Sequence, residues 1–406
     1  MTKPRAIAET LAEAFAHVDA GRVGRARPLA RALAKHRPQP PGLAYLEGLI
    51  ALADGEPKKA ARHLARALAA TPDAPPLLLA MARAQAAQRR DAEAETFYRR
   101  LLALAPEAAA GQIELAALLV KRAMIRRDAG APAEAAELFA EAVAVDPRSF
   151  HGNILLGRVR EGMGERDAAV AAYRRALALD PEDRYGAATA LARLGAGAAP
   201  DKASDLFLRG LFDEYAPKFE AELVGVLSYR APALLADAIR AALGPGPFDV
   251  FDMGCGTGLM GEALLPMAKS LVGADFSPRM VERARARGAY DRLEVGDAVA
   301  MLAESPGAYD LVTAADVLVY TGDLAPVVAA ARRALRAGGG FAFTVEGGAD
   351  GDWKLQANGR YTHSKAYLRR LAKAGGFEMA SLAESSTRTE SGQPVPSLVC
   401  VLRKGA

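Results

Sequence analysis

The segment from Asp252 to Gly258 has the residue types of a ligand-binding turn. It reads Asp-Met-Gly-Cys-Gly-Thr-Gly and continues an apolar run that begins at residue 248. Glycines between a strand and a helix let backbone N–H groups and the helix N-terminus approach a polar ligand closely. Two further acids, Asp275 and Asp297, stand near the ends of later apolar runs. Together these residues predict a polar-ligand site at one edge of a parallel sheet.

The glycine spacing by itself fits more than one ligand. Gly256-x-Gly258-x-x-Gly261 satisfies the dinucleotide-binding pattern, and Asp275 lies 19 residues after Gly256, near the spacing of a ribose-binding acid. Asp252 argues against a dinucleotide, because an acid just before the first glycine suits the cationic end of a ligand better than a pyrophosphate. A hairpin at the carboxyl terminus also belongs to neither half of a dinucleotide fold.

From about residue 230, short apolar runs alternate with helical stretches, which indicates a parallel sheet with crossover helices. The predicted strands cover residues 248–253, 271–276, 292–296, 309–314, 340–346, 377–384 and 396–403. A Ser/Thr-rich turn region rather than a helix joins the last two runs. We therefore expect the final strand to be antiparallel.

The first half of the chain contains an internal repeat. Pro38, Pro72, Pro106, Pro147 and Pro181 follow one another at separations of 34, 34, 41 and 34 residues. Alignment on these prolines also brings small residues into register, at Ala14, Gly48, Ala82, Ala123 and Gly157. The pattern over about residues 7–183 resembles five tetratricopeptide repeats (TPRs), whose period is 34 residues. The spacing of 41 predicts a lengthened first helix around residues 109–125.

The glycine turn and the acids that follow it resemble a class I S-adenosylmethionine-dependent methyltransferase. The motifs are Asp252-x-Gly254-x-Gly256-x-Gly258, Asp275-Phe276-Ser277, Gly296-Asp297-Ala298 and the run from Asp310 to Val317. More narrowly, residues 211–219, 227–232 and 360–364 are similar to bacterial methyltransferases that carry N-terminal TPRs.

The resemblance implies an α + α/β fold class. A TPR α-solenoid would be followed by a Rossmann-like class I methyltransferase domain with a seven-stranded, mostly parallel sheet and an antiparallel last strand. The expected division is a repeat domain at residues 1–195 with a capping helix, a linker at 196–204 and the methyltransferase domain at 205–406.

The resemblance also implies how the glycine turn would bind S-adenosylmethionine as cofactor. Gly254, Gly256 and Gly258 would bring the backbone close to the methionine and ribose portions. Asp252 would lie near the amino group.

Further donor-side roles follow from the same resemblance. Asp275 would accept hydrogen bonds from both ribose hydroxyls, and Phe276 would lie against the adenine. Asp297 would accept a hydrogen bond from the adenine amino group, beside a backbone N–H of Ala298. Tyr215 would belong to a lid over the donor, with ordinary amphipathic packing as the alternative.

Candidates for catalysis on the acceptor side are Asp316, Tyr361 and His363. Asp316 follows the fourth predicted strand, where acceptors sit in such folds, but it could instead support neighbouring residues or cap a helix. His363 lies with Tyr361 in a predicted loop ahead of a helix at 364–374. It could act as a general base for an oxygen nucleophile, or simply anchor that loop or cap the helix.

Composition narrows the class of protein. The chain is 51% hydrophobic and 25% charged, which is typical of a globular protein with a sizeable core. Its net charge of +4 is too small to indicate nucleic-acid binding, and two cysteines are too few for a zinc site. We expect no metal, no secretory signal, no membrane span and a cytoplasmic location.

The sequence leaves three functional hypotheses. The first is a methyltransferase whose repeats bind a protein or peptide partner on their concave face, as TPRs commonly do. The second is a small-molecule O- or C-methyltransferase whose repeats join copies of the chain into a homo-oligomer. The third is a non-catalytic TPR scaffold.

Overall fold

The structure is a computed structural model that describes residues 4–223 and 227–405. The chain packs as two compact units, residues 1–169 and 170–406. The division falls within the last predicted repeat. A packing unit and a sequence domain are different divisions, so the boundaries at 195 and 205 stay a prediction.

Five consecutive helix pairs confirm the predicted repeats. They are α1 (Pro4–Asp19) and α2 (Val23–Leu33), α3 (Leu43–Ala53) and α4 (Pro57–Ala70), α5 (Pro75–Ala87) and α6 (Asp91–Leu104), α7 (Ala109–Asp128) and α8 (Pro132–Val145), α9 (Phe150–Gly162) and α10 (Arg166–Leu179). Each second helix ends two to five residues before its aligned proline. The 20 residues of α7 confirm the predicted lengthening of that helix.

Small residues allow the paired helices to pack closely, as the alignment predicts. A Cβ at Gly48 of α3 would lie 2.7 Å from Cδ2 of Leu64 in α4. Leu64 itself is fully buried, and so are Ala60 and Ala82. The repeat period therefore reflects the need to bury one large side chain of the second helix against a small residue of the first.

The second unit continues with helices and a nine-stranded sheet. Its helices are α11 (Ala187–Arg193), α12 (Asp205–Tyr215), α13 (Phe219–Leu223), α14 (Ala231–Leu243), α15 (Leu259–Leu264), α16 (Pro278–Arg287), α17 (Ala298–Ala303), α18 (Ala325–Ala334) and α19 (Lys365–Ala374). Its strands are β1 (Phe248–Met253), β2 (Ala268–Asp275), β3 (Arg292–Val295), β4 (Tyr309–Ala314), β5 (Leu335–Gly347), β6 (Trp353–Leu355), β7 (Tyr361–His363), β8 (Phe377–Glu390) and β9 (Gln393–Lys404).

Strand order confirms the Rossmann-like prediction. Strands β3, β2, β1, β4 and β5 pair in that order and are parallel. Strand β9 is antiparallel to both β5 and β8, as predicted. The carboxyl ends of β1, β2 and β4 therefore meet at one edge, which is where the predicted acids stand.

The sheet differs from the prediction beyond β5. Residues 353–363, which end in the predicted loop, form the hairpin β6–β7, and β7 pairs with the end of β5. Tyr361 and His363 thus lie on a strand, so their predicted placement in a loop is wrong. Alternating burial could not reveal β7, because all three of its residues are buried.

Residues 200–203 are hydrogen-bonded to the segment that follows β4. The N–H of Gly322 donates to the Asp201 carbonyl at 2.7 Å, and the Ala203 N–H donates to the Tyr320 carbonyl at 2.9 Å. The hydroxyl of Tyr361 donates to the Pro200 carbonyl at 2.6 Å. The predicted linker is therefore hydrogen-bonded to the segment that follows β4 and to β7. Across residues 4–223 and 227–405, no helix has both the length and the apolar character to cross a membrane.

Candidate active site

The glycine turn joins β1 to α15 in a conformation that glycine adopts readily. Gly254, Gly256 and Gly258 have φ angles of +64°, +54° and +94°. A Cβ at Gly254 would lie 2.5 Å from Cγ2 of Val317, so packing requires that glycine. A Cβ at Gly256 would meet no heavy atom of the described residues within 4 Å. The backbone at Gly256 is therefore open to a ligand.

Asp252 lies beneath this turn rather than on its surface. It is 1% exposed. Its Oδ1 accepts a hydrogen bond from the Thr313 hydroxyl, and its Oδ2 accepts one from the Tyr290 hydroxyl, each at 2.7 Å. Burial raises the pKa of Asp252 to about 6, although both hydroxyls oppose the rise. The site therefore carries a buried negative charge that titrates slightly below neutral pH.

Tyr290 fills a space that small residues leave between α15, α16 and β2. A Cβ at Gly261 would lie 2.5 Å from Cε2 of the Tyr290 ring, and a Cβ at Gly273 would lie 2.7 Å from Cε1. Gly261 is the last glycine of the dinucleotide-like pattern. Because packing against the Tyr290 ring explains why residue 261 is glycine, the glycine spacing is no evidence for a pyrophosphate site.

Asp275 connects the end of β2 to the glycine turn. Its Oδ2 accepts a hydrogen bond from the N–H of Gly256 and its Oδ1 accepts one from the N–H of Ser277, each at 2.9 Å. A carboxylate oxygen accepts more than one hydrogen bond, so each oxygen keeps acceptor capacity for a ligand hydroxyl. Burial raises the pKa of Asp275, and the two N–H groups oppose that rise. Phe276, which lies between Asp275 and Ser277 in the sequence, is half-buried.

Asp297 and Ala298 begin α17 after β3. Asp297 caps the helix, since its Oδ1 accepts a hydrogen bond from the N–H of Val299 at 2.8 Å. Its second oxygen has no partner among the described residues. Asp297 is half-buried and Ala298 is buried. One carboxylate oxygen thus shapes the helix start and the other can still accept a hydrogen bond.

The predicted lid segment is anchored at both sides of the site. The Ser277 hydroxyl donates to Asp213 of α12 at 2.5 Å. On the other side, the rings of Phe212 and Tyr320 meet edge to face at 5.5 Å. Tyr215 packs on the Phe219 ring at 5.4 Å, and burial raises the pKa of its hydroxyl to about 12. Helix α12 therefore spans from the end of β2 to the end of β4.

Asp316 is held in an unusual conformation just after β4. Its φ of +60° is rare for a residue other than glycine and is typical of functional positions. The Thr344 hydroxyl accepts a hydrogen bond from its N–H at 2.8 Å. Its carboxylate forms an ion pair with Arg388 at 2.6 Å. It caps no helix and is a paired acid, and its role on the acceptor side stays a prediction.

Arg388 is the centre of a charged cluster that the sequence did not predict. It is 3% exposed and pairs with three carboxylates, those of Asp316, Glu346 and Glu390. Burial by itself would lower the pKa of Arg388, but these carboxylates raise it above its usual value. Arg360 also pairs with Glu346 and Glu390. The cluster has three acids and two bases, so its formal charge is negative.

A bulge in β8 explains how Arg388 reaches this cluster. The register between β8 and β9 shifts between Ser386 and Thr389, and bulges of this kind re-aim side chains. The bulge also binds the segment before α14, because the Thr389 N–H donates to the Leu227 carbonyl at 2.7 Å. A Ser/Thr-rich stretch gives no local sign of a bulge. The nearest signal was the pair of opposite charges two residues apart, at Arg388 and Glu390.

His363 and Tyr361 of β7 are both hydrogen-bonded to backbone carbonyls, those of Gly322 and Pro200. His363 is fully buried, and its Nε2 donates to the Gly322 carbonyl at 3.0 Å. Its Nδ1 has no partner among the described residues. Burial lowers the pKa of His363 to about 4, so the ring is neutral at physiological pH. This placement favours the anchoring alternative over a general base, and Ser364 rather than His363 caps α19.

Family profiles match both halves of the chain. A profile described as a methyltransferase domain matches residues 251–341. Profiles of the tetratricopeptide repeat match residues 11–75, 51–121 and 126–194. The first match spans the glycine turn, both donor-side acids and Asp316.

Individual relatives are similar over parts of the chain. Human methyltransferase-like protein 27 is 41% identical over 100 residues, which are 24% of this chain and 39% of that protein. A ubiquinone biosynthesis O-methyltransferase of Thiobacillus denitrificans is 30% identical over 152 residues, 33% of this chain and 66% of that enzyme. The chain thus spans less than two thirds of either relative. The crystal structure of an S-adenosylmethionine-dependent methyltransferase from Mesorhizobium loti aligns with 41% of this chain and 96% of that one, at a TM-score of 0.33 and 23% identity.

We expect Arg388→Met to destabilise the protein strongly. The substitution leaves the carboxylates of Asp316 and Glu346 without their buried partner, which costs about 3–5 kcal/mol. Urea unfolding measures the loss. Arg370→Met is the matched control, because Arg370 pairs with Asp352 at the surface, where a pair contributes at most about 1 kcal/mol. Equal losses in the two variants would contradict the central role of Arg388.

Proposed function

We propose that this TPR-containing class I S-adenosylmethionine-dependent methyltransferase transfers a methyl group to a protein or peptide acceptor that its repeats recruit. The observation that carries the donor site is the position of Asp275. Its carboxylate accepts one hydrogen bond from an N–H of the open glycine turn and one from an N–H at the start of α16. Both carboxylate oxygens can still accept from vicinal hydroxyls, as a ribose presents. The methyltransferase profile covers the same residues.

The residues of the chain divide the work between binding and alignment. Bound S-adenosylmethionine supplies an electrophilic methyl group on a positively charged sulfur. Asp252 places a negative charge beneath the turn, which favours a cationic ligand there. Helix α12, held by Asp213 and Phe212, covers the site and limits water. The protein must then chiefly hold the acceptor in line, and little further activation is needed.

The acceptor side offers polar groups rather than a free base. Asp316 and Arg388 are paired, and Tyr320 lies between the lid and Arg360, with a pKa that burial raises. The segment 318–322 is fixed from below by His363 and along its edge by residues 201–203. These contacts favour a rigid platform that orients an acceptor which brings its own nucleophilic lone pair.

A small hydroxyl compound is the second candidate acceptor. It is favoured by the similarity to ubiquinone biosynthesis O-methyltransferases, although the chain covers only part of their length. On this alternative, the repeats would serve association between copies of the chain.

We expect Asp275→Ala to weaken binding of S-adenosylmethionine by about tenfold to a hundredfold, because hydrogen bonds to a charged group are lost. Titration calorimetry with the full chain measures the affinity. Asp310→Asn is the control, since Asp310 lies at the opposite end of β4 and binds the N–H of Asp249. Unchanged affinity in the Asp275 variant would rule out this donor site.

The affinity for S-adenosylmethionine should fall as pH drops through about 6. The pKa of Asp252 is raised to about 6, so its negative charge is present above that pH and is lost below it. Tyr290→Phe removes a hydrogen bond that favours the charged form, so the fall should begin at a higher pH. Calorimetry from pH 5 to 8 measures the midpoint. Tyr309→Phe should leave it in place, and a midpoint that does not move in Tyr290→Phe would contradict the role of Asp252.

Tritiated S-adenosylmethionine distinguishes the two acceptor classes. The full chain is incubated with it in an extract of cells that lack this protein, and the extract is separated by mass. We expect label in protease-sensitive, high-mass material. The Asp275→Ala variant is the control and should leave that material unlabelled. Label confined to low-mass compounds would favour the second candidate.

A further inference from the structure

The first unit contains a basic cavity at the turns inside the second and third repeats. It is an open depression of the surface with a volume of about 640 Å³. Glu56, Lys58, Lys59 and Arg62 line it from the second repeat, and Gln88 and Arg90 line it from the third. The cavity is thus built by two consecutive repeats of the first unit, whereas the residues assigned to methyl transfer belong to the second unit.

Three of the four cations in this cavity have no anionic partner in the part of the chain that the structure describes. Lys59 pairs with Glu56 at 2.7 Å. Among the residues that the structure describes, no acid forms an ion pair with Lys58, Arg62 or Arg90. All three side chains are exposed. The cavity therefore presents three uncompensated positive charges.

Elsewhere in the first unit, charged side chains of neighbouring repeats form ion pairs with one another. Lys121 pairs with Asp91, 30 residues away, and Arg83 pairs with Glu114, 31 residues away. Lys59 and Arg90 are also 31 residues apart, yet both are cations. Lys59 is paired with Glu56, but Lys58, Arg62 and Arg90 have no ion pair among the described residues, and an anionic ligand would reduce the repulsion among these three cations.

The positive charge of the repeat region lies in residues 1–100, the half of the repeats that contains this cavity. Residues 1–100 contain 17 Lys and Arg against 10 Asp and Glu, whereas residues 101–200 contain 12 against 13. The N-terminus of α4, a helix of 14 residues, opens at the cavity with Pro57 in its first turn and no side-chain cap. Its dipole adds to the attraction for an anion.

The lining favours carboxylates of a peptide over nucleic acid. None of the residues that line the cavity is aromatic. Proteins that bind single-stranded nucleic acid combine cations with aromatic rings on which bases stack. Arginine side chains bind carboxylates through paired N–H groups.

We propose that this cavity binds an acidic peptide segment of a partner protein, with Lys58, Arg62 and Arg90 contacting its carboxylates. The inference concerns the repeats alone and holds whether or not the bound segment is the methyl acceptor. Failure of methyl transfer would therefore leave it intact, and its own failure would leave the donor site intact.

The test is fluorescence anisotropy of a fluorescein-labelled hexaglutamate peptide with the full chain, at about 0.15 M salt. We expect saturable binding that weakens by about tenfold or more in Arg62→Glu/Arg90→Glu, because two charged contacts are reversed. Arg31→Glu/Lys35→Glu changes the net charge equally at exposed positions outside the cavity. It should change the affinity less than about twofold. Circular dichroism shows whether each variant is folded, and the milder Arg62→Gln/Arg90→Gln replaces the reversal if it is not.

Three results would overturn the proposal. One is no binding of the peptide by the folded wild-type chain. Another is an equal loss in the cavity and control variants, since net charge alone would then explain the affinity. The third is tighter binding of a hexathymidylate than of the peptide, with the same sensitivity to the cavity variants, which would assign the cavity to nucleic acid.

Discussion

The buried carboxylate of Asp252 holds the donor side of the sheet together. It is hydrogen-bonded to Thr313 of β4 and to Tyr290, so it links two strands and the segment before β3. A buried charge is costly unless it is hydrogen-bonded, and these two hydroxyls fix where each neighbour lies. The Tyr290 ring in turn requires glycine at positions 261 and 273. The glycine turn above this carboxylate is therefore positioned by packing before any ligand binds.

The acceptor side follows a different principle. Its acids and bases are paired with one another across β4, β5, β7 and β8, and few are left for chemistry. Asp316 keeps a left-handed backbone because Thr344 and Arg388 hold it from two sides. Such a network gives a rigid surface at the cost of desolvating several charges. It suits an enzyme that aligns two reactants more than one that transfers protons.

Several features of the fold were predictable because they repeat or are local. The 34-residue period gives the helix pairs, and apolar runs followed by Gly or Asp give β1, β2, β3 and β4. Strand β7 was missed because all three of its residues are buried, and β6 was missed because three residues are too few to show an alternation. The misplacement of His363 had the same cause. A histidine in a loop could reach a substrate, whereas the same histidine on a buried strand binds the Gly322 carbonyl.

The sequence by itself determined the order of the elements apart from β6 and β7, the glycine turn and the acids at the strand ends, since each depends on neighbouring residues. Only the tertiary structure decided which charges are buried and paired. Tyr290 lies 38 residues after Asp252, and Arg388 lies 72 residues after Asp316. These partners meet through strand register and a bulge, which are set by packing over the whole sheet. Burial then sets how much free energy each charged pair contributes to stability, and no short segment of sequence contains that information.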